Sequence, residues 1–209
     1  MSALDSEHPR LADRFGEDTN NVLLLAPSMD AHAEDGCVDL LTVEPPAGED
    51  VLYVTFTESP DQRLESWRRG TDDERPAKLG FVNVDDSARS AVESSPARSG
   101  AALSVRSVSN PADLTDLGIQ LNAYLAEWAD DDNRTVVCLH SVTTLLQHVD
   151  LQRAFRFFHV VTGRVRESDA RAHYHVDPAV HDERTINTLK SLFDAVAEWD
   201  GVDWQVRNR

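Results

Sequence analysis

His140 is the first residue in this chain that could do chemistry. It follows the apolar run Arg134-Thr135-Val136-Val137-Cys138-Leu139, at the point where a buried strand ends and a reacting group can sit. His173 and His175 lie two apart in a short strand over Arg171 to Asp177, so their side chains share one face, with Asp177 two residues further on. His140, His175 and Asp177 could meet if their strands are neighbours, and such a His/His/carboxylate set could hold zinc or iron. The opposing reading makes His140 a half-buried histidine beside Ser141 and leaves the others as surface polar residues. Asp30, His32, Glu34 and Asp35 form a second group that could take a cation, or simply a solvated acidic loop. Ser141 next to His140 suggests no nucleophile. There is no Gly-x-Ser-x-Gly elbow, and neighbours on a strand point to opposite faces. Cys37 and Cys138 lie in apolar surroundings without CxxC or Cys/His zinc spacing, and read as two buried thiols in a reducing cytoplasm.

These residues are positioned by a chain of 209 residues in which 41 % are hydrophobic and 27 % charged, a globular composition with room for one sizeable core. Apolar runs alternate with amphipathic stretches. Asn21 to Ala26, closed by Pro27, reads as a buried parallel strand. Ser28 to Asp35 reads as a polar loop and Gly36 to Val43 as a short helix. Val51 to Phe56 is a second buried strand, and Ser59-Pro60 opens a helix. Lys78 to Val84 and Leu103 to Val108 are further strands, with Asp85 to Gly100 a solvated loop between them. Asn110 is expected to cap a helix that starts at Pro111 and carries the stripe Leu114, Leu117, Leu121, Tyr124, Leu125 and Trp128. Arg134 to Leu139 is the next strand, and Asp150 to Arg166 a long amphipathic helix. After the strand at Arg171, Asp182 to Leu192 reads as helical, and Phe193 to Glu198 with Val202 to Val206 as a hairpin across Asp200-Gly201. The four tryptophans, Trp67, Trp128, Trp199 and Trp204, read as packing rather than stacking platforms. Phe155, off its helix's main stripe, could face a partner. Residues 1–20 read as a loose leader or one weak helix around His8 to Phe15, and 21–209 as a single domain.

The formal net charge is −17, and Arg supplies all the cations except Lys78 and Lys190. This acidity excludes binding to duplex nucleic acid, which needs a basic footprint, and docking on anionic lipid. No run approaches 18 apolar residues and Met1 to Asn20 has no apolar core, so neither a membrane span nor a signal peptide is expected. Scarce Lys on an acidic surface suits a salt-rich cytosol, where a Debye length of about 3 Å screens self-repulsion. The expected source is a haloarchaeon, with an acidic mesophile protein as the alternative.

Taken together, Val51 to Pro60, with Thr57-Glu58-Ser59-Pro60 at its end, and Val136 to Thr143, with His140-Ser141 at its strand end, resemble the KaiC and RecA-like ATPases. Phe155 to Arg166, Arg171 to Asp177 and Leu192 to Val196 resemble the C-terminal half of the same core. The resemblance spans roughly residues 20 to 200 and implies a three-layer α/β fold. Its sheet would be mostly parallel and RecA/KaiC-like, with helices on both faces and the C-terminal β-hairpin. The departures decide the expected function. A P-loop reads Gly-x-x-x-x-Gly-Lys-Ser/Thr. Aligned on Gly36 as its second glycine, this chain has Ala31 for the first, Cys37 for the Lys and Val38 for the hydroxyl residue. Anions surround them, and a like-charge contact at about 4 Å costs roughly 1 kcal/mol in water and about four times that half-buried. His140 stands where the Walker B Asp belongs, followed by Ser141. Thr57 and Glu58 stand where the family has paired glutamates.

The resemblance therefore implies a non-catalytic relative with no catalytic residue, no cofactor and no metal. It would be a cytoplasmic regulatory or interaction module, with a protein partner: a second copy, a RecA/KaiC-like ATPase or a signalling protein. The rival expectation is an enzyme, either a divergent nucleotide hydrolase or a metal-dependent hydrolase built on His140, His175 and Asp177.

Overall fold

The computed structural model describes residues 10–28, 30–84, 102–130 and 132–209. Its strands are β1 (Asn21–Leu25), β2 (Glu49–Thr55), β3 (Lys78–Val84), β4 (Ala102–Val108), β5 (Arg134–His140), β6 (Arg171–Val176), β7 (Ala195–Trp199) and β8 (Trp204–Asn208). The helices are α1 (Ala31–Leu41), α2 (Pro60–Gly70), α3 (Leu114–Trp128), α4 (Val142–His148), α5 (Leu151–Glu167) and α6 (Glu183–Lys190). The strands form one sheet in the order β4-β3-β2-β5-β6-β1-β7-β8. All neighbours are parallel except β8, which returns antiparallel on β7 as a C-terminal hairpin. Gly201, at φ 96°, takes the left-handed conformation that this turn requires.

The sheet is buried on both faces, so its central strands are apolar at every position and alternate residues serve different layers. Leu23, Leu25, Leu52, Val54, Val137 and Leu139 pack with the apolar stripes of α3, α5 and α6 in the larger core. Their strand neighbours face the opposite layer. Val51, Tyr53, Val136 and Cys138 pack with Cys37 and Leu41 of α1 and Trp67 of α2. Val22 and Leu24 pack with Ala33 and Leu40 of α1, Leu11 and Trp204. This is a three-layer α/β fold, as the alternating pattern predicts. Phe155 is partly buried against the larger core. Among the described residues, no helix is long and apolar enough to cross a membrane.

Local chemistry moves three boundaries. α1 begins at Ala31, five residues before the expected start, because the Asp30 carboxylate accepts the His32 N–H at 2.9 Å and caps it. Acidic residues that resemble a loop also suit the positive end of a helix. α3 is capped by Asp113, which accepts from Thr115 and Asp116, whereas Asn110 caps only a turn at Ala112. Of the segment expected to be a loose leader, residues 10–20 are fixed to the domain. Leu11 is buried, Arg10 donates to Thr42, and Arg14 forms an ion pair with Asp203 at 2.9 Å. Residues 1–9 and the expected loop at 85–100 lie outside the described residues.

Two positions carry tests of the packing. At Gly36, in the middle of α1, an added Cβ would stand 2.7 Å from the Trp204 ring. Gly36→Ala should therefore lower stability by about 1–3 kcal/mol in denaturant unfolding, although Ala is the better helix former by about 1 kcal/mol. At the start of β2, burial pushes the Glu49 carboxyl up to about 7, against the opposing pull of the Glu44 N–H at 2.5 Å and of the Arg134 and Arg171 charges. The folded chain then holds a proton that the unfolded chain has released, so stability falls as pH rises from about 4.5 to about 7 and stays lower above. Glu49→Gln should raise stability by about 1–3 kcal/mol at about pH 8, and the gain should shrink as pH falls through that window, measured by thermal melts.

Candidate functional site

The C-terminal ends of β1, β5 and β6 meet in a crevice below the N-terminus of α1. Its cavity volume is about 20 Å³, room for about one water. Ser28 closes one side by donating its N–H to the Asp177 carboxylate at 2.9 Å, and the Asp177 N–H donates to the Thr143 hydroxyl at 2.8 Å. Although partly buried, Asp177 is held below its ordinary range by the Ser28 and Ala179 N–H groups. Arg63 of α2 reaches in with only 2 % of its side chain exposed. It pairs with Glu58 and lies 3.5 Å from Glu34, which also accepts from the Ser66 hydroxyl at 2.9 Å. Burial pushes the Glu58 carboxyl up, and Arg63 opposes that shift. Ser141 caps α4 by accepting the Thr144 N–H at 3.0 Å.

Gly36, Cys37 and Val38 lie buried in the second turn of α1, against Trp204, the sheet and Gly70 of α2 in turn, and not at the helix N-terminus. The alignment that placed them in a degenerate P-loop is corrected by the capped start at Ala31, which is itself exposed. Gly36 is required by Trp204, not by a phosphate. Thr57 is exposed at the end of β2, and Glu58 faces Arg63. The acidic group does not converge: Asp30 caps α1, His32 stacks on Trp199 at 4.4 Å and Glu34 is taken by α2.

Beneath the crevice, strand parity sends Cys138, His140, His173 and His175 toward α1, and α1 supplies Cys37. In the register, Cys138 sits opposite His173, and His175 opposite Leu24. The Cys37 Sγ lies 3.4 Å from the Cys138 Sγ and 3.2 Å from the His173 Nε2. One ligating atom from each of Cys37, Cys138, His173 and His175 lies within 4.8 Å of all the others. All four residues are buried, and both thiols are free. His140 and His175 do come together, with ring centroids 4.6 Å apart, but the Asp177 carboxylate turns away to Ser28 and Ala179. The trio expected from the sequence is therefore two-thirds assembled.

The electrostatics of this cluster are those of one shared thiol proton. The hydrogen bond from Cys138 holds the Cys37 thiol well below its ordinary value against the cost of burial, helped by His173 and His175. Burial, and then Cys37 itself, push Cys138 well above. Burial also pushes His140 well below its ordinary value, with His175 adding, and lowers His175, so both rings are neutral at pH 7. Burial works against the Arg63 charge, but Cys37, Cys138 and Glu58 hold it. The His175 Nε2 and the His140 Nδ1 are buried without a hydrogen-bond partner. Thiolate and neutral imidazole are the donor types that a soft or borderline metal ion takes. Cys37, Cys138 and His173 as a group were not legible from spacing. Their common parity is visible, but joining them needs the strand order.

No curated protein matches the chain. Among solved structures 167 chains do. One of them, described as a structural study of Project ID PH0250 from Pyrococcus horikoshii OT3, superposes with a TM-score of 0.60 at 9 % identity, covering 93 % of this chain and 88 % of that one. At that identity the likeness is one of fold. A family model matches residues 19–199, nearly the whole described domain with its crevice and its cluster, and the chain therefore belongs to DUF7504, a family of unknown function.

Proposed function

We propose that the chain is a RecA/KaiC-like domain that works without nucleotide hydrolysis, as a regulatory or protein-interaction module in a haloarchaeal cytoplasm. One observation carries this reading: the strand-end crevice, at about 20 Å³, is filled by its own loop and by an ion-paired Arg63. A triphosphate at the start of α1 would displace Ser28 from Asp177 and meet the Asp30 carboxylate, which already holds the His32 N–H there. Arg63, the cation nearest the crevice, would have to leave Glu58 and Glu34. Exposed apolar surface supports a protein as the partner. Ile119 of α3 and Val160 of α5, each 60 % exposed, flank a cleft of about 410 Å³ between their helices. The partner would be a second copy, a RecA/KaiC-like ATPase or a signalling protein.

Thermal melts in high-salt buffer with and without ATP and Mg²⁺ test the reading. A nucleotide present at 100 times its Kd would stabilise by about 2.7 kcal/mol, a rise of roughly 5–10 °C for a domain of this size. No rise is expected. A Mg²⁺-dependent rise of that size, abolished by Ser28→Pro or Arg63→Glu, would mean that the crevice opens to nucleotide and would overturn the reading.

A further inference from the structure

We propose that Cys37, Cys138, His173 and His175 are the four ligands of one tetrahedral Zn²⁺ ion held between α1 and the sheet. The geometry comes first. Zinc at about 2.3 Å from sulfur and about 2.0–2.1 Å from nitrogen sets neighbouring ligand atoms roughly 3.3–3.8 Å apart in a tetrahedron. The observed separations of 3.4 Å between the two sulfurs and 3.2 Å from Cys37 to His173 stand within a few tenths of that. His175 completes the set within 4.8 Å. Its Nε2 is buried with no partner, the kind of polar atom that burial penalises until something binds it.

The chemistry agrees with the geometry. Two thiolates and two neutral imidazoles around a divalent cation sum to zero charge, so the occupied site carries no net charge into the core. Sulfur donors exclude Mg²⁺ and Ca²⁺, and a tetrahedral set of two sulfurs and two nitrogens selects zinc among divalent ions. The site has four protein ligands, each buried, and no open position for substrate, so its work is structural. The ion would tie the second turn of α1 to the middle of β5 and β6, three segments whose ligands lie far apart in the chain. Arg63 and Tyr53 stand next to the thiols, where they would tune the ion without ligating it. This proposal is independent of whether the crevice takes nucleotide.

The test refolds the full chain from denaturant in reducing, high-salt buffer, with one equivalent of Zn²⁺, with one equivalent of Co²⁺, or with chelator. About one zinc per chain should survive gel filtration, and its removal should lower the melting temperature by several degrees. Cobalt should give intense visible bands of tetrahedral coordination together with a thiolate-to-cobalt band in the near ultraviolet. Cys37→Ser and His173→Gln should reduce retained zinc to below about a tenth of an equivalent, while His148→Gln, at an exposed histidine on α4, should retain it all. The parent chain's cobalt spectrum decides the matter even where a variant fails to fold. The proposal fails if the reduced chain folds and melts identically with zinc and with chelator. It also fails if cobalt gives only the weak bands of six-coordinate oxygen ligation, or if Cys37 and Cys138 close to a disulfide in air while zinc is never retained.

Discussion

The layer between α1, α2 and the sheet is buried, and its polar groups depend on one another for partners and charge compensation. That constraint governs the rest of the molecule. Two thiols, three imidazoles, a phenol and a guanidinium share this space. The Arg63 charge is tolerable because Glu58 and Glu34 reach it from the rim, and the two thiols beneath favour it further. Ionisation of Cys37 is favoured by its hydrogen-bonded contacts with Cys138 and His173. Cys37 and Cys138 set each other's protonation, so the two thiols titrate as a pair.

The same constraint explains why the sheet mouth is closed. In an α/β sheet the crevice beyond the strand ends is the natural ligand site. Here the residues that would line it bind one another: Ser28 to Asp177, Asp177 to Thr143, Asp30 to the first turn of α1. A helix N-terminus attracts anions, and this one is supplied by its own carboxylate. The interacting polar side chains concentrate instead in the layer beneath the mouth.

Much of this was legible in sequence, for physical reasons. Asn21 to Leu25, Val51 to Val54 and Arg134 to Leu139 are apolar at nearly every position, which only a strand covered on both faces requires. The α3 and α5 stripes followed from their helical period. The start of α1 was not legible, because Asp30, Glu34 and Asp35 look the same on a solvated loop as on a capped first turn. Gly36 was read as a phosphate glycine because its real partner, Trp204, lies far along the chain. The cluster was half-legible. The shared face of His173 and His175, and of Cys138 and His140, follows from the two-residue period. That β5 and β6 are neighbours, and that α1 lies over both, is a matter of topology. The period alone favoured Asp177 as a partner, and the Ser28 and Ala179 N–H groups captured it instead.

The seam where Trp204 lies against Gly36 and Arg14 grips Asp203 joins stretches 189 residues apart in the latter case. A ribosome delivers α1 long before it delivers β8. Until then one flank of the helix has Leu11 beside it but lacks its tryptophan cover. Contacts of such long range are slow to close, so the nascent chain exposes that flank through most of its synthesis. The last strand acts as a latch, and the growing polypeptide must stay soluble until it engages. A surface dominated by carboxylates serves that waiting period as much as it serves the finished fold.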